Sequence, residues 1–257
     1  MIANYHTHTY RCHHAYGEEE GYVLEAIKQG LKTLGFSDHS TYLFPGDYAS
    51  THRMSPKEIG DYVSTIRALK EKYKDKIDIK IGFECEYYPE LWEKTLAQWR
   101  EFGIEYLILG QHYVGREFEG APPASRDSDS EEKLIKYVDL VVEALATGKI
   151  SCVAHPDLIN FTGDDEIYKR EMKRLIRAAI AADVPLELNL LGVRVRRHYP
   201  TRKFWDLVRG TDAKVIIGCD AHEKESVANG RDLADAYSFL ERCGISNIIE
   251  TLDFKPI

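Results

Sequence analysis

Residues 2–8 read IANYHTH, a short apolar segment that ends in His6 and His8, two histidines separated by one residue. Residues 214–222 read KVIIGCDAH, and here Asp220 and His222 stand at the same spacing near the other end of the chain. Side chains at positions i and i+2 of a β-strand point to the same face, so each segment can present two ligand groups side by side. The two segments therefore predict strands that bring ligands from opposite ends of the chain to a metal site.

Further residues of metal-ligand type lie between these segments, each near the end of an apolar run. A single histidine is more often an ordinary surface or core residue, but this many histidines at the ends of strands form a joint pattern that chance does not explain. The pattern predicts a multinuclear metal site built by a whole domain. Its nine candidate ligands are His6, His8, His14, His39, Glu84, His112, His155, Asp220 and His222.

Short apolar runs alternate with longer amphipathic ones along the whole chain. Seven strand-then-helix units without a break in composition predict one α/β domain over residues 1–257, with a parallel sheet closed into a TIM-like (β/α)7 barrel. An open doubly wound sheet is the alternative. The predicted strands are Ile2–His8, Thr33–Ser37, Ile77–Glu84, Tyr106–His112, Ile150–His155, Leu186–Leu190 and Lys214–Asp220. The predicted helices are Glu19–Leu31, Pro56–Tyr73 with Ser55 as its N-cap, Leu91–Phe102, Ser130–Thr147, Glu166–Ala182, Arg202–Val208 and Lys224–Cys243.

Composition narrows the class of protein. A hydrophobic content of 44% and a charged content of 30% in 257 residues are ordinary for a globular domain. The net charge of −8 argues against a nucleic-acid partner, which would require a basic face. The five cysteines contain no C-x-x-C pair and indicate reduced thiols, and no apolar run is long enough to cross a bilayer. We expect a cytoplasmic protein with no membrane partner.

Positive side chains near the predicted strand ends are candidates for binding a phosphate group. Arg53 and Arg197 are the favoured candidates, followed by Arg116, because a guanidinium can bind phosphate through two hydrogen bonds. Arg116 lies near the start of a charged, glycine- and proline-rich segment, residues 115–129, which can be a rim or lid of the site or a mobile surface loop. Glu117 and Glu119 in this segment could meet a substrate ammonium group or remain solvated.

The ligand motifs resemble those of the polymerase-and-histidinol-phosphatase (PHP) family of metal-dependent phosphoesterases, in order and over essentially the whole chain. The resemblance implies a distorted seven-stranded barrel that holds three divalent ions. It implies that His6, His8, Glu84 and Asp220 bind the first ion, and that Glu84 bridges to a second bound by His112 and His155. It assigns the third ion to His14, His39 and His222. Either His13 or His14 can be the ligand, although the spacing from His8 fits His14 better. Asp38 is expected to orient a histidine or to act as a weak ligand.

Ligand chemistry also favours an enzyme. Imidazole and carboxylate ligands suit zinc, iron or manganese, and a set without cysteine argues against a closed structural zinc site. Clustered divalent ions can activate a bridging hydroxide for in-line attack at phosphorus. Catalysis would then depend on Glu84, Asp220 and His222, with Asp220 or a metal-bound water as the source of the proton for the leaving group.

Within the family, the segments CHHAYG, FSDHS, HRMS and CDAH resemble bacterial histidinol-phosphate phosphatases most closely. This resemblance implies a small phosphate ester as substrate, most specifically L-histidinol phosphate, which would be hydrolysed to L-histidinol and phosphate in histidine biosynthesis. Hydrolysis of a nucleotide, a sugar phosphate or phosphotyrosine is the alternative. A non-catalytic metal-binding module is a third reading, and the complete ligand set counts against it. The sequence leaves the oligomeric state open.

Overall fold

A computed structural model describes all 257 residues of the chain. Its seven strands form one sheet in the order β1 to β7, and each strand pairs in parallel with the next strand along the chain. The strands are β1 (Ala3–Asn4), β2 (Thr33–Phe36), β3 (Asp78–Cys85), β4 (Tyr106–Leu109), β5 (Cys152–Val153), β6 (Leu186–Asn189) and β7 (Val215–Gly218).

Helices follow the strands and pack on the outside of the sheet. Three short 3₁₀ turns, at Tyr10–Cys12, Glu117–Glu119 and Lys224–Ser226, lie in the loops. No helix is long and apolar enough to span a membrane. The α-helices are α1 (Glu19–Lys28), α2 (Ile59–Lys72), α3 (Trp92–Phe102), α4 (Glu131–Ala146), α5 (Asp165–Ala181), α6 (Leu190–Arg194), α7 (Arg202–Val208) and α8 (Gly230–Cys243).

The first and last strands meet just beyond their regular ends. The backbone N–H of His8 donates to the carbonyl of Ala221 at 2.9 Å, and the N–H of Ala221 donates to the carbonyl of His6 at 3.2 Å. These bonds form a parallel bridge between Thr7 and Ala221. The sheet is therefore a nearly closed seven-stranded barrel, as predicted, and the doubly wound alternative is wrong.

An aromatic side chain fills the interior of the barrel below the predicted site. Tyr106 is fully buried, and its hydroxyl donates to the carbonyl of Tyr5 at 2.8 Å. A Cβ atom at Gly82 would lie 2.4 Å from the Tyr106 ring, so a glycine is required on the neighbouring strand. Phe254, from the C-terminal segment, stacks on the Tyr106 ring with centroids 4.7 Å apart and covers the barrel's floor.

Several predicted strands are too long, and the structure shows why. Asn4 ends β1, because its side chain bonds the hydroxyl of Thr7 at 2.7 Å and the backbone N–H of Cys219 at 2.9 Å, in place of a regular strand ladder. His155 and Asp220 have φ angles of 29° and 45°, which a strand cannot contain. The seven predicted strands exist, but most of the proposed ligands lie in the turns that follow them.

Three predictions about helices need correction. Helix α2 begins at Ile59, because residues 56–58 form a turn that precedes it, and Ser55 is therefore not its N-cap. The segment Lys224–Cys243 is interrupted, since the side chain of Asn229 caps a new helix at Gly230. Helix α6 was not expected, because five residues are too few to show a helical period in the sequence.

Candidate metal centre

The nine predicted ligands come together at the carboxyl end of the barrel. Every one of them belongs to a group of three whose ligand atoms lie within 4.8 Å of one another. His14 is a member of such a group, whereas His13 adopts a left-handed φ of 68° and belongs to none. Of the two histidines that the sequence left open, His14 is therefore the one that faces the cluster.

Four of the ligand atoms surround one point. Nε2 of His6 lies 3.5 Å from Oε2 of Glu84 and 3.5 Å from Oδ1 of Asp220. Nε2 of His8 lies 3.5 Å and 3.1 Å from the same two oxygens. All four atoms are buried and have no hydrogen-bond partner. Buried polar atoms are nearly always paired, so four unpaired atoms that converge fit a bound cation.

The other oxygen of Glu84 faces a second set of histidines. Oε1 lies 2.8 Å from Nε2 of His155 and 3.5 Å from Nε2 of His112. A carboxylate with one oxygen towards each set has the arrangement expected of a ligand shared by two ions.

The remaining histidines form a third group beside the first two. Nitrogen atoms of His14, His39 and His222 lie within 4.8 Å of one another, and the rings of His14 and His222 stack with centroids 4.8 Å apart. Burial lowers the pKa of His222 to about 3, so its ring is neutral and can act as a ligand. The thiol of Cys12 also lies close to His8 and His222, but burial raises its pKa and favours the protonated thiol.

The charges of the cluster favour a cation at its centre. Burial alone would raise the pKa of Glu84 and Asp220, but the surrounding histidines hold both values well below the usual range. Burial would lower the pKa of His6 and His8, yet the neighbouring acidic groups raise both values well above normal. Without an ion, protons on His6 and His8 balance the charge of the two carboxylates. A bound divalent ion would supply this positive charge in their place.

Backbone geometry at the strand ends positions several ligands. The positive φ angles of His155 and Asp220 are unusual for residues with a side chain and cost about 1–3 kcal/mol each. Such conformations concentrate at functional sites. Gly110, immediately after β4, leaves room for Glu84, because a Cβ atom there would lie 2.0 Å from Oε1 of Glu84.

Neighbouring acidic side chains orient the proposed ligands. Asp38 was expected to do so, and its Oδ1 lies 3.4 Å from Nδ1 of His8. Glu187 was not singled out from the sequence, although its Oε1 lies 2.8 Å from Nδ1 of His6. The available signal was strand alternation, because Glu187 and Asn189 occupy positions i and i+2 of the short strand LELN and both are buried.

A cavity of about 450 Å³ opens above the metal ligands. Of the three predicted phosphate-binding arginines, Arg53 and Arg197 line it. Arg116 does not; it is exposed and pairs with Glu90 and Glu119.

Two carboxylates already pair with Arg53. Its Nε lies 2.9 Å from Glu117, and its Nη2 contacts both Glu86 and Glu117. Its Nη1 has no partner. Both glutamates are buried, but only Glu86 lines the cavity. The segment that contains Glu117 forms part of the rim, since its residues Pro123 and Ser125 line the cavity.

A nearly closed parallel β/α barrel with clustered histidines and carboxylates at its carboxyl end defines the class of barrel proteins that carry divalent-metal centres. A model of the family described as PHP domain matches residues 4–190, which is more than half of the chain. The chain belongs to the PHP domain family.

Known proteins resemble the chain over nearly its full length. A probable histidinol-phosphatase of Deinococcus radiodurans is 27% identical and covers 95% of this chain and 94% of its own. A probable histidinol-phosphatase of Schizosaccharomyces pombe is 26% identical and covers 96% of this chain and 89% of its own. The crystal structure of histidinol phosphate phosphatase from Lactococcus lactis, complexed with zinc, L-histidinol and phosphate, matches with a TM-score of 0.71 at 19% identity. It covers 99% of this chain and 97% of its own, and it supports the fold.

Proposed function

We propose that the chain is a metal-dependent phosphomonoesterase whose substrate is L-histidinol phosphate. The observation that carries the proposal is the position of Glu84, with its two oxygens directed at two sets of histidines under an open cavity. Relatives named as probable histidinol-phosphatases align over nearly the whole chain and support the choice of substrate.

Three divalent ions, of zinc, iron or manganese, would bind the nine ligands in the three groups described above. When bound, they would supply a hydroxide nucleophile near neutral pH and neutralise charge on the phosphoryl oxygens. Glu84 holds the first two groups together through its two oxygens. Asp220 is ionised at neutral pH, because nearby histidines hold its pKa well below the usual range. Asp220 can therefore serve as a ligand and accept a proton, and a proton that it has accepted, or one from a metal-bound water, would then pass to the leaving group.

Arg197 is the arginine best suited to bind the phosphate. It lines the cavity, and its Nη1 donates to the hydroxyl of Tyr199 at 3.0 Å, which leaves its other N–H groups free. In Arg53 only Nη1 is without a partner, and that atom is buried, because the other nitrogens face Glu86 and Glu117. We therefore assign phosphate binding chiefly to Arg197, with Arg53 in a supporting role.

The part of the substrate that carries the amine and the imidazole requires an acceptor in the cavity. Glu86 is the acidic residue of the cavity wall that does not belong to the metal cluster. Glu117 and Glu119, which the sequence suggested for this role, pair with Arg53 and Arg116 and do not line the cavity, whereas Glu86 also pairs with Arg53 but does line it. We assign the cationic part of the substrate to the side of the cavity formed by Glu86.

The test is a comparison of kcat/KM for histidinol phosphate, a nucleoside monophosphate, a sugar phosphate and phosphotyrosine. A site with buried polar groups discriminates by about 10⁴-fold or more against analogues that leave those groups unpaired. We expect histidinol phosphate to be hydrolysed with the highest kcat/KM. A higher value for phosphotyrosine or a nucleotide would remove the assigned substrate and leave the metal-dependent phosphoesterase intact.

A further inference from the structure

One buried carboxylate outside the nine-ligand set contacts two of the chain segments that carry the ligands. Glu187, on β6, is 2% exposed. Its Oε1 lies 2.8 Å from Nδ1 of His6, and its Oε2 accepts the backbone N–H of His155 at 3.1 Å. The same Oε2 accepts the side-chain amide of Asn189 at 2.9 Å. No lysine or arginine pairs with Glu187, and a buried carboxylate without such a partner is normally costly.

Asn189 extends this arrangement to a third ligand, Asp220. Its Nδ2 also donates to Oδ2 of Asp220 at 3.0 Å, while its Oδ1 accepts the N–H of Gly192 and caps helix α6. Oδ2 of Asp220 therefore accepts a hydrogen bond, and Oδ1 is the oxygen without a hydrogen-bond partner. The amide of Asn189 thus determines which oxygen of Asp220 faces His6 and His8.

Glu187 has the corresponding effect on His6. A carboxylate oxygen accepts hydrogen bonds, so Oε1 favours a proton on Nδ1 of His6. The lone pair is then on Nε2, which is buried, unpaired and directed at Glu84 and Asp220. This is the tautomer that a metal-ligating histidine requires.

The neighbouring strand leaves space for Glu187. A Cβ atom at Gly218, on β7, would lie 1.7 Å from Oε1 of Glu187. Any other residue at position 218 would displace the carboxylate from His6. Strand β6 therefore carries Glu187, and the glycine on the adjacent strand β7 leaves the space that its carboxylate occupies.

We propose that Glu187, together with Asn189, is the positioning unit of the metal centre. It fixes the tautomer of His6, the backbone of His155 and the free oxygen of Asp220, and it touches no substrate. The proposal rests on the metal site of the proposed function but not on the identity of the substrate.

Glu187→Gln is the informative substitution, because it preserves size and removes only the charge and one acceptor. In one orientation the new NH₂ group faces the N–H donors of His155 and Asn189. In the other it faces Nδ1 of His6 and drives the ring proton to Nε2, the nitrogen that would ligate. Either orientation of the amide removes a hydrogen bond that positions a ligand, so a change of side-chain rotamer cannot restore metal affinity.

The experiment measures metal content by elemental analysis after equilibration with zinc or manganese buffered at graded free concentrations, and it monitors folding by circular dichroism. Loss of a partner that orients a ligand typically lowers metal affinity about 10–100-fold, and we expect Glu187→Gln to remain folded with a loss of this size. Glu171→Gln is the matched control. Glu171 is also buried, at 3% exposure, but it lies on α5 and pairs with Arg170 and Arg174, so its metal affinity should match wild type.

Asn189→Ala is the second variant, and it keeps the proposal testable if Glu187→Gln fails to fold. It removes the donor to both Glu187 and Asp220, so its metal affinity should also fall. Wild-type affinity in either folded variant, or an equal loss in Glu171→Gln, would overturn the proposal. Because the readout is bound metal, failure to hydrolyse histidinol phosphate would remove the proposed substrate without affecting this result. A wild-type protein that binds no divalent ion would overturn both proposals.

Discussion

Glu84 occupies the position where the three groups of ligands meet. Its Oε2 lies near His6, His8 and His39, and its Oε1 lies near His112 and His155. No other side chain of the cluster contacts so many of the proposed ligands. The ligand function of the cluster should therefore be most sensitive to this residue.

Replacing Glu84 by Gln tests this position. The amide keeps the volume of the side chain but removes the charge that two ions would share. We expect bound metal and kcat to fall by more than the roughly 10–100-fold that loss of an outer partner costs. Elemental analysis and steady-state kinetics measure both, with Glu171→Gln as the control. Full metal occupancy at a normal rate would show that Glu84 is not a bridging ligand.

Arg197 permits a second test at the level of single residues. A charge-assisted hydrogen bond contributes about 1.5–3 kcal/mol, so Arg197→Ala should lower kcat/KM roughly ten- to a hundredfold. Metal content should stay at the wild-type value, because Arg197 belongs to none of the ligand groups. Arg202→Ala is a suitable control, since Arg202 is exposed and pairs with Asp206 on the same helix. Unchanged kinetics in Arg197→Ala would transfer phosphate binding to Arg53.

The sequence predicted the members of the cluster better than it predicted their hydrogen-bond partners. Histidines at strand ends are visible as a pattern, and all nine candidates lie in the cluster. Glu187 and Glu86 looked like ordinary acidic residues, because acidic side chains are frequent and nothing local marks a buried one. Arg116 ranked behind Arg53 and Arg197, but only the folded chain reveals that it pairs with Glu90 outside the cavity.

At the level of secondary structure, the seven strands were predictable because each is a short apolar run before a helix. The residues at which the strands end were harder to predict. Asn4 interrupts β1 by bonding the backbone of Cys219, which is 215 positions away in the sequence. The positive φ angles of His155 and Asp220 arise from the requirements of the site and not from local propensity. Strand ends that form functional sites depart from regular geometry, so periodicity predicts them poorly.

Gly110 provides a test at this level. Alanine at this position would place its Cβ atom 2.0 Å from Oε1 of Glu84 and force that carboxylate to move. We expect Gly110→Ala to fold but to lose metal affinity by about tenfold or more, the loss typical of a disturbed ligand. Gly230→Ala is the control, because no atom lies within 4 Å of the added Cβ there. Equal metal binding by Gly110→Ala and wild type would contradict the close packing of Gly110 against Glu84.

On the scale of the whole molecule, closure of the barrel creates the metal centre. His6 and His8 follow the first strand, and Asp220 and His222 follow the last. The bridge between Thr7 and Ala221 joins the two segments, so candidate ligands more than 200 residues apart in the sequence lie side by side. The spacing of these residues was readable from the sequence, which is why the barrel and its site could be predicted together. The number of ions and the shape of the cavity depend on side-chain packing and could not be read from spacing alone.

The most direct test of the central claim is a metal titration of the stripped protein, with bound ions and hydrolysis of histidinol phosphate measured on the same samples. We expect chelation to abolish turnover, and added zinc, manganese or iron to restore it as occupancy rises towards the three ions that the nine ligands can hold. The rate should reach its plateau together with occupancy. Turnover that persists after complete removal of metal, or full occupancy without turnover of any phosphate ester, would contradict the claim.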